Sequence, residues 1–390
     1  MKKINVGSDF SGIGAFDYAV KRVFKGNYKN VFACDMDKFA RVSYIHNHGE
    51  PDYYPQDVYD RDVPKKPLDI YMTSPPCQSF SLAGKRLGKD DERGVLFFNS
   101  HEFIKQNKPR YFIFENVKGL LSDNDGQTFQ EWVTMLGGKS VNGSPLLFPH
   151  EESVPYHLYY RVLNSKKHGI PQNRERVFIV GIRDDSDNTF TWPKEEHLTK
   201  KLSSVIEEDV DEKYFLSDKA VERLCNNDTG FSSIPKDGDS VASTVCASDH
   251  KIARGMNVLK VGTWRTHKDG QGFRGTSDNN CPTIPARARE DGSGQPVICI
   301  PISTPSRAEK QQNGRRFKGN EEEMFTITTQ DPHGIYDGYR IRRLTPRECL
   351  RLQDFPDDFE IMVSDSQIYK QAGNSITVRV LELIISKFKI

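Results

Sequence analysis

No stretch of these 390 residues is apolar for long enough to cross a membrane, and the start Met1-Lys2-Lys3-Ile4-Asn5-Val6 lacks the apolar core of a secretion signal. The chain is therefore expected in the cytoplasm, with no membrane partner. It also lacks any pair of cysteines at CxxC spacing. Its seven cysteines (Cys34, Cys77, Cys225, Cys246, Cys281, Cys299 and Cys349) are odd in number. That argues against a zinc knuckle and a disulfide framework, and leaves reduced thiols with no metal expected. Nor is there an excess of one charge: the formal balance is +1. The exception is local. Lys251 to Lys318 carry 13 Lys+Arg against 5 Asp+Glu, a net of +8, which leaves −7 on the remainder. A basic segment on an acidic body suggests a dedicated polyanion-facing surface.

What is present is an alternation of strand and helix patterns. Ile4 to Ser8 reads as a strand, and Ala15 to Phe24 as a helix with Phe16, Ala19, Val20 and Val23 on one face. Val31 to Cys34, Leu68 to Met72, Tyr111 to Phe114 and Arg176 to Gly181 read as further strands, with helices over Lys38 to His46 and around Phe97 to Ile104. Such alternation predicts a mainly parallel sheet with helices on both faces. After about Arg183, Gly, Pro, Ser and Thr dominate to about Gly338, with one helix expected near Asp218 to Cys225. This predicts a second, irregular, β-rich domain. Helical periodicity returns over Thr345 to Leu352 and Asn374 to Phe388.

Two loops carry the chemistry. Asp9-Phe10-Ser11-Gly12-Ile13-Gly14-Ala15 opens the first helix, where glycines let the backbone turn tightly against a ligand. Asp17 stands where a dinucleotide fingerprint has its third glycine, which disfavours a nicotinamide cofactor. Ser74-Pro75-Pro76-Cys77-Gln78-Ser79 follows a strand that its prolines must end, so Cys77 is expected at the carboxyl end of the sheet. Glu115 lies at the end of the neighbouring strand pattern. A thiol and a carboxyl so placed can act as nucleophile and proton donor on one substrate.

With Gln172-Asn173-Arg174-Glu175-Arg176, these motifs resemble the DNA (cytosine-5)-methyltransferase family of prokaryotes and phages, over most of the chain. The resemblance implies an α/β fold: a Rossmann-like S-adenosylmethionine-dependent domain (1–183), a smaller β-rich target-recognition domain (184–340), and a supporting motif with a C-terminal helix (341–390). It implies Cys77, Glu115, Arg174 and Arg176 as catalytic residues. It places S-adenosylmethionine on Phe10, Ser11, Gly12, Gly14, Asp35, Met36, Asp57, Val58, Pro76, Asn374 and Ser375. Asp35 stands where family members usually carry Glu, and Asn374 and Ser375 are expected to cap the last helix. Duplex DNA is the implied partner, with the target base flipped out of the helix. Gln78, Ser79, Ser81, Arg265, Arg274, Arg315 and Arg316 are candidate contacts to it, and the Thr-aliphatic pair near the target is Thr283-Ile284 or Thr326-Ile327.

The expected activity is methylation of cytosine carbon 5 through a covalent Cys77 adduct, in a restriction-modification setting. A cognate endonuclease would act on the same site without stable binding, and a monomer is expected. A transfer-RNA methyltransferase relative and a catalytically silent DNA binder on the same fold are the alternatives.

Overall fold

The computed structural model describes residues 3–76, 95–185, 188–200, 204–207, 209–214 and 344–390, and the backbone of five short strands between 262 and 343. Cys77, Gln78, Ser79, Ser81, Thr283, Arg315, Arg316, Thr326 and the helix expected near Asp218 lie outside the described residues.

The first elements are β1 (Ile4–Asp9), α1 (Ala15–Phe24), β2 (Tyr28–Cys34), α2 (Lys38–His48), β3 (Ile70–Thr73), α3 (Val95–Asn107) and β4 (Tyr111–Val117). Then follow α4 (Gln127–Leu136), β5 (Ser140–Val141), β6 (Ser144–Pro145), β7 (Tyr156–Asn164) and β8 (Glu175–Arg183). Every residue of β1 and β3 is buried, as expected of strands covered by helices on both faces. They form one sheet in the order β2-β1-β3-β4-β8-β7-β5-β6. Side chains alternate between two cores. Tyr111, Ile113, Phe178 and Val180 belong to one and Phe112, Phe114, Val177 and Ile179 to the other.

The sheet is mixed rather than mainly parallel. The strands β2, β1, β3 and β4 run parallel, but β8 is antiparallel to β4 and to β7. The strand β7, outside the alternation read from the sequence, returns the chain so that β8 enters from the carboxyl end of β4. Gly181 makes that pairing possible, because a Cβ there would lie 2.1 Å from the ring of Phe112 opposite it.

Beyond 214 the described backbone forms a three-stranded antiparallel sheet of β9 (Gly262–Arg265), β10 (Gly272–Gly275) and β11 (Pro296–Val297). A two-stranded ribbon of β12 (Gly334–Tyr336) and β13 (Ile341–Arg343) follows. In the three-stranded sheet, β10 pairs with β9 so that Gly272 faces Arg265 and Arg274 faces Thr263. The chain ends in α5 (Pro346–Leu352), α6 (Asp365–Asn374) and α7 (Val378–Ile385). The expected helix over 374–388 is thus two elements. Asn374 closes α6 and Ser375 caps its carboxyl end, while Thr377 is the residue that precedes α7. Neither Asn374 nor Ser375 caps the last helix, because Ser375 and Thr377 are both extended and break the helix between them.

Candidate active site

Strand order reverses between β1 and β3, so the crevice outside their carboxyl ends is where an open α/β sheet binds ligands. Asp9 pairs with Cys34 on one side and Thr73 on the other. The turn after β1, Asp35 after β2, and Ser74 to Pro76 after β3 therefore share one rim.

At that rim Phe10 holds φ 56°, rare for a side chain of its size, and Gly12 and Gly14 are also left-handed. Gly14 begins α1 at φ 82°, and a Cβ on it would lie 2.1 Å from Nε2 of His48. A Cβ on Gly12 would meet nothing within 4 Å, so that face of the turn is open. Asp35 is half-buried. Its Oδ2 accepts from the Gly12 amide at 2.7 Å and its Oδ1 from the Asp37 amide at 2.8 Å. Burial raises its pKa, and these amides oppose the rise. Met36 beside it is 76% exposed, and Phe10 is half-buried. Asp57 is exposed and turns back to accept from the Tyr59 amide at 2.9 Å, with Val58 packed inward.

These residues fit the adenosine end of S-adenosylmethionine. Apolar surface is offered by Phe10 and Met36, the turn is open at Gly12, and the Asp35 carboxylate retains lone pairs for hydroxyl donors.

Glu115 is buried at the carboxyl end of β4, and Arg176 holds its Oε1 at 3.2 Å through Nε. The ladder pairs Glu115 with Phe178 and Val117 with Arg176, so Glu115 and Arg176 are diagonal neighbours on one face. Burial raises the pKa of Glu115, and Arg176 and then Arg174 oppose the rise. The antiparallel run of β8 is what brings the guanidinium here. In a parallel strand, Arg176 would start at the opposite end of β4, about 20 Å away. Next to Glu115, Asn116 donates from Nδ2 to the Pro75 carbonyl at 3.2 Å. The exit of β3 is thereby tied to the carboxyl's own strand, two residues before Cys77. Pro76 is exposed.

Arg174 is near enough to Glu115 to oppose the rise in its pKa, and it has further partners. It precedes β8, is buried, and donates from Nη2 to the carbonyls of Gly373 (3.2 Å) and Ser375 (2.6 Å). Its visible task is to hold the α6–α7 junction against the site. Gln172 donates to the Leu352 carbonyl at 3.3 Å, and Ser165, Thr377 and Gln353 continue this buried polar seam. Asn374 is exposed and Ser375 half-buried beside it. Arg265 and Arg274 have described backbone only.

Two buried clusters escaped the sequence reading. Asp9 is clasped by Arg61. Asp17 accepts from Tyr44 at 2.7 Å and from Asn30 at 2.7 Å, behind the Gly14 turn. Burial raises the pKa of Asp17 despite nearby His48. A polar residue inside an apolar helix stripe was the available signal for Asp17, whereas Arg61 gave none.

The model of the C-5 cytosine-specific DNA methylase family matches residues 4–389. The chain is 35% identical to the orphan methyltransferase M.SPRI of Bacillus phage SPR, over 99% of this chain and 98% of that one. It is 31% identical to the type II methyltransferase M.NgoBI of Neisseria gonorrhoeae, over 96% and 89%. Among solved structures it resembles the Dnmt2 methyltransferase of S. pombe in fold, with TM-score 0.54, 16% identity, and coverage of 99% and 98%.

Proposed function

Because the chain belongs to the C-5 cytosine-specific DNA methylase family, and so is a DNA cytosine-5 methyltransferase, we propose that it works through Cys77 as nucleophile and Glu115 as acid on a cytosine flipped out of duplex DNA. S-adenosylmethionine, when bound, supplies an electrophilic methyl group. The observation that carries this assignment is the buried Glu115–Arg176 pair beside the exit of β3.

A free thiol, with pKa about 8.5, is mostly protonated at neutral pH, and cytosine carbon 6 is a poor electrophile. A protonated Glu115 offsets the second obstacle by donating to ring nitrogen 3 as the Cys77 sulfur bonds to carbon 6. Carbon 5 becomes nucleophilic and takes the methyl group as S-adenosylhomocysteine leaves. Loss of the carbon-5 proton to solvent expels Cys77 as thiolate, and nitrogen 3 returns its proton to Glu115, which restores the ring. Arg176 steers the carboxyl while its charge limits how far burial raises the pKa.

Phe10, Ser11, Gly12, Gly14, Asp35, Met36, Asp57, Val58 and Pro76 are assigned to the cofactor. Asn374 and Ser375 would meet its methionine end through the junction that Arg174 holds. Residues 184–340 are assigned to target reading, with Arg265, Arg274, Arg315 and Arg316 on phosphates. The family model is specific for DNA and spans nearly the whole chain, which favours DNA over transfer RNA. Relatives named both orphan and type II support a modification role in a restriction-modification setting, with any endonuclease sharing the sequence rather than bound.

The test is transfer of labelled methyl from S-adenosylmethionine to mixed-sequence duplex DNA, with transfer RNA in parallel and sequencing of the product. Label on cytosines in one short DNA context is expected. Label confined to RNA, or none on either, would overturn the reading.

A further inference from the structure

The most elaborate polar contact inside the described part of the sheet domain is one the mechanism above does not use. Arg61 and Asp9 are buried together, with side chains 5% and 0% exposed. Arg61 Nε lies 2.9 and 3.1 Å from the two Asp9 oxygens, and Nη2 lies 2.7 Å from Oδ2. The Tyr71 hydroxyl donates to that same Oδ2 at 2.5 Å. Arg61 Nη2 also donates to the Asn99 carbonyl at 3.0 Å, and the guanidinium sits 4.8 Å from the centre of the Phe103 ring.

What these partners adjoin is informative. Asp9 is the last residue of β1, directly before left-handed Phe10. Arg61 follows the turn that begins at Asp57, where Val58 packs inward and Asp57 accepts from the Tyr59 amide. The earlier part of this connection is held by Arg41, which donates to the Tyr54 and Pro55 carbonyls, by the Ala33 amide on the Tyr53 carbonyl, and by the Tyr54 hydroxyl 3.3 Å from Ser11 Oγ. Arg61 ties the Asp57 turn itself to the end of β1.

Stability alone explains such a pair poorly. Desolvating two charges offsets most of their attraction, and apolar replacements of a buried pair are often as stable. A planar fork gripping one carboxylate through two nitrogens does fix distance and orientation. We infer that Arg61 is a positioning residue for cofactor binding, holding the Asp57–Val58 turn at a set distance from the Phe10 turn so that both can close on one adenosine. This rests on the assignment of those two turns to S-adenosylmethionine.

The test separates positioning from stability. Arg61→Met alone leaves Asp9 buried without its cation, and should lower Tm. The double variant Asp9→Leu/Arg61→Met removes both charges and should recover Tm. S-adenosylhomocysteine affinity, measured by calorimetry, should nevertheless remain weakened by on the order of tenfold or more, as expected when binding groups are displaced by about an ångström. Arg61→Lys, which keeps the charge but not the fork, gives a second reading if the double variant fails to fold, and its affinity should fall likewise. Variants that fold with wild-type Tm and bind S-adenosylhomocysteine as tightly as wild type would overturn the inference. Failure of the wild type to bind S-adenosylhomocysteine would instead sink the proposed function itself.

Discussion

At the scale of single residues, Glu115 is governed by two opposed effects. Burial raises its pKa, and Arg176 and Arg174 pull it down, with burial the larger. A carboxyl with a raised pKa favours the folded state below its unfolded value, and that contribution is lost as pH rises through the folded value. In the proposed mechanism the same shift keeps the acid form available for nitrogen 3 at higher pH than a free glutamate would allow. We expect kcat/KM to fall as pH rises through the raised value. Glu115→Gln should lower kcat by about 10²–10⁴-fold and flatten that alkaline limb. A pH–rate profile of both enzymes checks this, and an unchanged limb in the variant would assign it to another group. Cys77→Ala should abolish turnover yet leave S-adenosylhomocysteine binding intact, read by calorimetry beside the methyl-transfer assay. Normal turnover in that variant would rule out the covalent route. Gly14 is constrained twice, by φ 82° and by His48 at 2.1 Å from a would-be Cβ. Gly14→Ala should destabilise the fold by about 1–3 kcal/mol from backbone strain alone. Adding His48→Ala relieves only the clash, so thermal melts should show partial recovery. Full recovery would mean the backbone angle costs nothing.

At the scale of elements, α5 is a local design with a long-range anchor. Thr345 accepts from the Glu348 amide at 3.2 Å, Glu348 accepts from the Thr345 amide at 2.8 Å, and Pro346 follows the cap. This much is readable in Thr345-Pro346-Arg347-Glu348. What sequence does not show is that Glu348 is fully buried and accepts from the Glu207 amide at 2.8 Å, 141 residues away. Thr345→Ala should cost more than the ~1 kcal/mol usual for a lost cap, since the Thr345 hydroxyl also donates to the Glu207 carboxylate. Glu348→Ala should also exceed that figure, since it leaves the Glu207 amide without its acceptor. Denaturant unfolding of each variant measures the loss, and about 1 kcal/mol or less in both would reduce the pair to a local cap. The elements read best from sequence were those with one strong apolar period, such as α1, whose limits match. The residues of β7 alternate buried and half-exposed along much of its length, and its partners β8 and β5 are set by tertiary pairing.

For the whole molecule, the C-terminal helices complete the first core rather than trail from it. Leu381, Ile384 and Ile385 of α7 join Phe16, Ala19 and Val20 of α1. Arg22 bonds to Asp354 and Glu382, and Phe388 stacks on Tyr111 with ring centres 4.4 Å apart. A chain ending at Gly373 would expose that core and leave Arg174 without the Ser375 carbonyl it donates to. It should be insoluble or lack a cooperative melt. A soluble, cooperatively folding truncation would show that α7 is dispensable.

Local chemistry follows from the order of residues alone: the glycine turn after the first strand, the proline-bounded cysteine, the carboxyl ending a strand, and the family to which such motifs belong. These are legible because each depends on neighbours within a few residues, through φ preferences, missing amide donors and apolar period. The antiparallel run of β8, which carries Arg176 to Glu115 and Arg174 to the α6–α7 junction, is set by the assembled fold. Only it could bring Arg61 to Asp9, 52 residues away. Strand direction and buried charge pairing follow from how distant segments fill one sheet and one core, and no local pattern encodes that choice.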